Sequence, residues 1–245
     1  MRYFLEVSYK GTRYNGFQVQ DNAHTIQSEV ARALEIVNRS KFELTGSSRT
    51  DAGVHALQNF FHFDTDLELA DKMLYNLNAV LPPDIVAKSI KPVGPEAHCR
   101  FNAVAREYKY FVYQSKSPFL DDRAYYFPFK LDIEKLHKAA AVIQGYTDFT
   151  SFSKRNTQVK TFQCAIMRSQ WMYENGCLVY NVKANRFLRG MVRGLVGTML
   201  KVGRGAWSIS DLETIIEAKD CTKADFSTPP HGLFLVEVSY PSDQL

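Results

Sequence analysis

The chain opens with the stretch Arg2-Tyr3-Phe4-Leu5-Glu6-Val7-Ser8-Tyr9, in which apolar and polar side chains alternate. An alternation with a period of two predicts a half-buried β-strand. A helix is predicted next, over residues 25–38, because Thr25 can act as N-cap and apolar side chains recur on one helical face. The opening strand is therefore the start of a β-α pattern that continues along the chain.

The rest of the first hundred residues extends this pattern. Two strands are predicted near residues 42–47 and 55–63, and a helix follows over about residues 67–80. Pro82-Pro83 ends that helix, and residues 85–93 again have the composition of a strand. The predicted order is β-α-β-β-α-β, which is the order of a ferredoxin-like unit.

The second half repeats the order. A strand is predicted at 106–114, and Glu174-Asn175-Gly176 is typical of a hairpin turn between two further strands. The remaining predicted elements are a helix at 133–143, strands at 162–173 and 177–183, helices at 188–202 and 208–218, and a strand at 233–240. The sequence thus predicts an α+β fold of two ferredoxin-like, RRM-like halves, residues 1–104 and 105–245. We expect a mixed, mostly antiparallel sheet with helices on one face and a central cleft.

Composition limits the class of protein. No apolar run approaches the ~20 residues that span a bilayer, and the start has no apolar signal core, so we expect a cytoplasmic protein without a membrane segment. The four cysteines are scattered and form no Cys-x-x-Cys pair, which indicates neither a disulfide framework nor a zinc site. The net charge of +4 and the pI near 8.8 permit an anionic partner without requiring one.

Positive charge is concentrated in two segments. One is a predicted helix and its approach, and the other is a polar loop with Lys154, Arg155 and Lys160. Cations interleaved with aromatic side chains are typical of proteins that hold a phosphate backbone. A solvated helix face beside a loop is the alternative interpretation. The helical segment contributes Arg186, Arg189, Arg193, Lys201 and Arg204.

The most unusual stretch is Thr45-Gly46-Ser47-Ser48-Arg49-Thr50-Asp51-Ala52-Gly53-Val54-His55-Ala56, which joins two predicted strands. Its small residues would let a substrate approach the backbone closely, and Gly53 permits a turn with positive φ that directs Asp51 outward. Arg49 and Asp51 are two residues apart, close enough to serve one pocket. The alternative is an Asx turn with a surface ion pair.

This stretch resembles the signature of the tRNA pseudouridine synthase A family, whose nucleophilic aspartate falls at Asp51. Further stretches resemble other motifs of that family, in the same order along nearly the whole chain. The sequence departs from the family pattern at Arg189, where many relatives have His, and at Arg186, where the position is often less basic. The further stretches are residues 9–20, His98-Cys99-Arg100-Phe101 with residues 106–110, residues 148–152, residues 185–193 and residues 229–233.

The resemblance implies an enzyme that isomerises uridine to pseudouridine at nucleotides 38, 39 and 40 of tRNA, working as a homodimer. The reaction breaks the N1–C1′ bond, rotates the base and rejoins it through C5. Because no atoms are gained and no redox change occurs, no cofactor and no metal are expected. The carboxylate could attack the base or the ribose, or abstract a proton, and the sequence leaves these routes open.

Roles for four catalytic residues follow from the same resemblance. Asp51 is the essential carboxylate, and Arg193 is the cation that pairs with it, since an unpaired buried carboxylate is costly. Tyr108 would stack on the uracil, and Arg49 would help to displace the target base, which is inaccessible while stacked. A solvated helix arginine and a core tyrosine are the alternatives for Arg193 and Tyr108.

Eight further residues are predicted to contact RNA: Arg13, Tyr14, Phe17 and Gln18 in the opening loop, with Lys154, Arg155, Arg186 and Arg189. One alternative function is a non-catalytic RNA-binding protein with two RRM-like halves, although the predicted strands lack the aromatic-rich RNP pattern of such modules. Another is a synthase that modifies a different RNA.

Overall fold

The computed structural model describes residues 1–67, 69, 72–155 and 159–242. Contacts divide the chain into two units, which we call the first and the second unit. The first contains Met1–Val104 and the chain from Phe234 onward, and the second is Ala105–Leu233. The predicted halves placed the end of the chain in the second half instead. Its contacts explain the difference, because Val238 N donates to Gln58 Oε1 at 2.9 Å and the Phe234 ring lies 4.5 Å from that of His55.

The first unit has the predicted order β-α-β-β-α-β. In its sheet β1 lies between β4 and β3 and is antiparallel to both, β2 is antiparallel to β3, and β9 is parallel to β3. The prediction of a full strand at 42–47 is wrong, because only two residues pair with β3 before the chain turns away. The elements are β1 (Arg2–Tyr9), α1 (Ile26–Asn38), β2 (Thr45–Gly46), β3 (His55–Asp64), α2 (Met73–Val80), β4 (Ile85–Val93) and β9 (Leu233–Ser239).

The second unit has a related arrangement. Here β8 lies between β5 and β7 and is antiparallel to both, while the two-residue β6 is parallel to β5. The predicted hairpin turn is confirmed, with φ of 50° at Asn175 and 77° at Gly176. The elements are β5 (Ala105–Tyr113), β6 (Tyr125–Tyr126), α3 (Ile133–Gln144), β7 (Ile166–Glu174), β8 (Cys177–Ala184), α4 (Met191–Gly203) and α5 (Ile209–Glu217).

Helix ends follow from local chemistry. Thr25 is the N-cap of α1, as predicted, and forms a capping box with Ser28. Helix α4 begins at Met191, three residues later than predicted, because Gly190 adopts a left-handed conformation with φ of 75°. Part of the predicted start of α2, at residues 68, 70 and 71, lies outside the described residues.

Each unit has its own apolar core. In the first, Phe4 and Leu5 on β1 are both buried although they point to opposite faces, so this central strand is covered on both sides. In the second, Tyr180 on β8 and Leu195 on α4 are fully buried. The α+β class and the mostly antiparallel strand pairing are confirmed. Among the described residues, no helix combines the length and apolar character needed to cross a bilayer.

Candidate active site

Asp51 lies in the loop between β2 and β3 and is half-buried. Along this loop Ser48 and Thr50 are buried, whereas Arg49 between them is exposed. The turn at Asp51 is closed by a hydrogen bond from Val54 N to Asp51 O at 3.2 Å, and Gly53 has a φ of 78°. The prediction that Gly53 permits a turn with positive φ is therefore confirmed.

Asn59, a fully buried residue of β3, holds the backbone that precedes Asp51. Its side-chain Oδ1 accepts from Ser48 N at 3.2 Å, and its Nδ2 donates to Ser48 O at 2.8 Å and to the Tyr9 hydroxyl at 3.1 Å. The same hydroxyl shares a 2.7 Å hydrogen bond with Thr50 Oγ1. We call these four residues the Asn59 clamp. It ties the loop to β1 and β3 through fully buried hydrogen bonds.

The loop after β1 packs directly against the Asp51 loop. Phe17 N donates to Thr50 O at 3.1 Å. A methyl group added at Gly16, whose φ is 96°, would lie 3.2 Å from the same oxygen, and one added at Gly11 would lie 2.0 Å from Val54 O. There is no room for a side chain at Gly11, and the positive φ of Gly16 favours glycine. The two loops therefore hold each other in place.

The four predicted RNA contacts of the opening loop differ in their exposure to solvent. Phe17 is only 1% exposed and stacks on Phe61 with ring centroids 4.6 Å apart. Tyr14 is also buried, and its hydroxyl donates to Asp84 Oδ1. Both side chains are buried inside the first unit, where each has a partner. Their burial disagrees with the prediction that they contact RNA directly. Arg13, which also binds Asp84, and Gln18 are exposed.

Asp84 connects this opening loop to the start of β4. Burial opposes ionisation of its carboxyl group, but hydrogen bonds from Tyr14 and Arg13 outweigh burial and hold the pKa of Asp84 below its usual range. The carboxylate therefore remains charged near neutral pH and anchors the loop. Arg13 keeps an exposed side chain while it is anchored in this way.

In the second unit, Arg193 lies in the first turn of α4 and is half-buried. Its Nε donates to Thr228 O at 2.8 Å, and Thr228 Oγ1 donates to Arg193 O at 2.8 Å. This reciprocal pair fixes the guanidinium group relative to the helix. Arg193 therefore differs from the solvated helix arginine that was its alternative interpretation.

Two tyrosines on β5 differ in how deeply they are buried. Tyr110 is fully buried, its hydroxyl donates to Pro229 O at 2.7 Å, and burial raises its pKa. Tyr108 is half-buried, and its ring meets that of Phe187 edge-on at 5.0 Å. Tyr110 is thus the core residue of the pair, and Tyr108 is the one with an accessible surface.

The other predicted basic RNA contacts, apart from Arg13, belong to the second unit. Lys154 N donates to Arg189 O at 3.0 Å, and the Lys154 stem packs against Gly190. The chain segments of these two cations are therefore adjacent. Arg155 and Arg189 are exposed, whereas Arg186 is half-buried. Residues 156–158 of the predicted basic loop lie outside the described residues.

One side-chain cluster in the first unit has the composition of a metal site. Possible ligand atoms of His62, His98 and Cys99 lie within 4.8 Å of one another. However, His62 Nδ1 accepts from Cys99 N, and His98 Nδ1 accepts from Arg100 N at 3.1 Å and Phe101 N. Each neutral ring then carries its proton on Nε2, while Nδ1 accepts a hydrogen bond. Neither ring nitrogen therefore offers a free lone pair to a metal ion. Burial lowers the pKa of His62 to about 4, which keeps that ring neutral.

Sequence analysis identified Asp51 and Arg49 but missed Asn59. The only sequence signal for Asn59 is that asparagine is depleted in strands, yet it stands in the middle of β3. Its partners come from β1 and from the loop, so they emerge only in the folded structure. The catalytic candidates fall in different units, Arg49 and Asp51 in the first and Tyr108 and Arg193 in the second.

Comparisons with known proteins match this chain over nearly its whole length. A family model described as tRNA pseudouridine synthase matches residues 6–102 and 139–241. A protein of Parabacteroides distasonis named tRNA pseudouridine synthase A is 45% identical over 99% of this chain and 97% of its own length. Proteins with the same name are 44% identical in Bacteroides fragilis, over 99% of this chain and 97% of the relative, and 34% identical in Staphylococcus aureus MRSA252, over 100% and 94%.

Proposed function

Because this chain belongs to the tRNA pseudouridine synthase family, and is an isomerase that acts on tRNA, we propose that its targets are nucleotides 38, 39 and 40. These uridines lie in the anticodon stem-loop. The relatives that carry the name tRNA pseudouridine synthase A match nearly the whole chain, which supports a shared substrate class.

We propose that Asp51 is the essential carboxylate, and one observation carries this assignment. Its half-buried side chain projects from a loop whose backbone is fixed by the Asn59 clamp on one side and by Gly16 on the other. A catalytic group must be held within a fraction of an ångström of its productive position. The loop supplies that rigidity, whether the carboxylate attacks the base, attacks the ribose or removes a proton.

The other catalytic roles are proposals of the same kind. Arg193, fixed by Thr228, would pair with Asp51 and offset the cost of holding a carboxylate beneath an apolar base. Tyr108 would stack on the uracil. Arg49, exposed and two residues from Asp51, would displace the target base from its stack.

We propose that RNA is held by the exposed or half-buried cations and by Gln18. Tyr14 and Phe17 would act indirectly, by shaping the opening loop from inside. By likeness to the family, the enzyme would work as a homodimer in the cytoplasm. The proposed RNA contacts are Arg13, Gln18, Lys154, Arg155, Arg186 and Arg189.

Incubating the purified protein with unmodified tRNA transcripts tests the substrate. Pseudouridine is mapped by chemical modification that stops reverse transcription, and we expect new stops at nucleotides 38, 39 and 40. Transcripts with cytidine at these nucleotides serve as the control. Absence of new stops at all three nucleotides, with stops elsewhere in the transcript, would contradict the proposed targets.

A further inference from the structure

A pocket of about 190 Å³ opens on the first unit beside the Asp51 loop. Arg49 and Gln18 line it, together with Arg100 and Phe101 from the turn that follows β4. No carboxylate belongs to the part of the lining that the structure describes. The pocket is thus positively charged and partly aromatic, and it shares Arg49 with the loop that carries Asp51.

Phe101 is a highly exposed member of the pocket lining. Its side chain is 75% exposed, its ring centroid lies 4.2 Å from that of His98, and the Arg100 guanidinium carbon lies 5.7 Å from the centroid. Arginine at this distance from a ring forms a cation–π contact. One face of the pocket is therefore an aromatic ring combined with a planar cation.

Hydrogen bonds fix the position of Phe101. His98 Nδ1 accepts from Arg100 N and Phe101 N, His98 O accepts from Asn102 N at 3.0 Å, and His98 N donates to the Asn102 side chain. Burial lowers the pKa of His98, so its ring stays neutral and continues to accept at Nδ1. A ring held in this way is presented to solvent before any ligand arrives.

The floor of the pocket is also rigid. Gly46 lies there, and a methyl group added to it would come within 2.2 Å of the Phe17 ring, so the backbone and that ring are in close contact. Gln27, another lining residue, donates to Leu44 O at 2.7 Å and accepts from Val19 N at 3.0 Å. The volume suits one planar ring system, since pockets for drug-sized molecules measure roughly 300–1,000 Å³.

We propose that this pocket, which we call the base pocket, binds a second, unpaired base of the tRNA near the target uridine. The base would stack on Phe101, the exposed amide of Gln18 would meet its edge, and Arg49 and Arg100 would approach the phosphates. Single-stranded RNA is recognised by stacking on aromatic rings and arginine planes. The inference rests on the proposed function, because it takes tRNA as the substrate.

The charge of the pocket favours RNA over a protein partner. Two arginines with no carboxylate in the described lining attract a phosphate backbone, and base stacking tolerates any sequence. A second copy of this chain could also cover Phe101. In that case the ring would affect self-association rather than RNA affinity, and the test separates these outcomes.

The test compares Phe101→Ala and Phe101→Leu with Phe101→Tyr, which keeps an aromatic face. Filter binding to tRNA at fixed salt should show about tenfold weaker affinity or more for Ala and Leu, and nearly wild-type affinity for Tyr. Tyr75→Ala is the matched control, because Tyr75 on α2 is 74% exposed in the same unit and does not line the pocket. It should bind tRNA as the wild type does.

A second measurement locates the base. In tRNA with 2-aminopurine placed at each loop nucleotide in turn, wild-type protein should quench the fluorescence at one nucleotide, and Phe101→Leu should abolish that quenching. Pseudouridine formation by the wild type, measured in parallel, shows whether the proposed function stands. If the wild type is active but Phe101→Ala and Phe101→Leu bind and quench normally, the base pocket alone is wrong. A change in sedimentation of the variants without a change in RNA affinity would also overturn it.

Discussion

Asn59 determines the backbone geometry immediately before Asp51. Its side-chain amide forms buried hydrogen bonds with both the N–H and the C=O of Ser48. Leaving a buried backbone group without a partner costs about 1–3 kcal/mol. The loop without Asn59 would therefore move to satisfy these groups elsewhere, and Asp51 would move with it.

We expect Asn59→Leu to lower the single-turnover rate at saturating tRNA about a hundredfold, since small misplacements of a reacting group have effects of that size. Affinity for tRNA should change little, because the clamp is buried. Tyr9→Phe, which removes only the hydroxyl of the clamp, should lose less activity. Rapid-quench measurement of pseudouridine formation, with circular dichroism to verify folding, gives the rates.

Asn78 offers the matched control for the clamp. Its side chain likewise binds both backbone groups of one residue, Ala87, at 2.8 and 2.9 Å, but joins α2 to β4 instead of holding the Asp51 loop. Asn78→Ala should lower stability and leave turnover unchanged. A folded Asn59→Leu protein with the wild-type rate would show that the clamp has no role in positioning Asp51.

Individual residues differ in how far the sequence could predict them. The stretch around Asp51 stands out because it is continuous, with small residues before the charges, and the role predicted for Asp51 rests on the family resemblance of that stretch. Tyr14 and Phe17 were predicted as RNA contacts, yet they are buried. Whether a loop aromatic points inward depends on partners far along the chain, here Asp84 and Phe61, and no local pattern carries that information.

At the level of elements, the loop after β1 and the Asp51 loop behave as one structure. Gly16 adopts a φ of 96° beneath Thr50 O, a conformation that other residues adopt at a cost of order 1–3 kcal/mol. Gly16→Ala should therefore lower the free energy of unfolding by more than about 1 kcal/mol. It should also slow turnover, because the added methyl group displaces the Asp51 loop.

Gly94→Ala provides the comparison. No described atom outside its chain neighbours lies within 4 Å of a methyl group added at Gly94, and its φ is not in the left-handed region. Such a substitution should change stability by less than about 0.5 kcal/mol. Urea unfolding and tRNA turnover are measured for both variants. Equal behaviour of the two would contradict the close packing of the loops.

The sequence predicted the helices better than the short strands. Helix α1 was predicted correctly because its N-cap and apolar face are local signals. Strand β2 is shorter than predicted, because an alternating stretch such as 42–47 forms a strand only where a partner strand is within reach. The two-residue β6 was not predicted, since so short a stretch has no periodicity to detect.

For the whole molecule, the distribution of charge matters more than the net charge of +4. We expect tRNA affinity to fall steeply with salt, with a slope of about −0.7 to −0.9 in log K against log salt for each phosphate neutralised. Filter binding over a range of salt concentrations measures this slope. Arg155→Gln or Arg189→Gln should each reduce the magnitude of this slope by nearly the contribution of one phosphate.

Lys138→Gln controls for a general effect of charge. Lys138 is exposed on α3 and pairs with Glu134 at 2.6 Å, outside the proposed RNA contacts. It should leave the slope unchanged. A salt response that is flat, or that Lys138→Gln reduces as much as Arg155→Gln does, would show that the proposed cations do not face the RNA.

The two-unit organisation was largely predictable because the predicted order of elements repeats in the two halves of the sequence. The grouping of the chain from Phe234 onward with the first unit was not predicted. Its contacts join residues about 180 positions apart, such as Val238 and Gln58. The sequence shows that residues 233–240 form a strand, but the choice of partner depends on tertiary packing.

We propose that pseudouridine formation in tRNA by this protein depends on the carboxylate of Asp51. Tritium release from tRNA labelled at uridine C5 measures it directly, with Asp51→Asn compared against Asp21→Asn, an exposed carboxylate of the same unit. We predict wild-type release for Asp21→Asn, and none above background for Asp51→Asn even though its tRNA affinity stays within a few-fold of wild type. Release by Asp51→Asn at the wild-type rate would show that the Asp51 carboxylate is not essential.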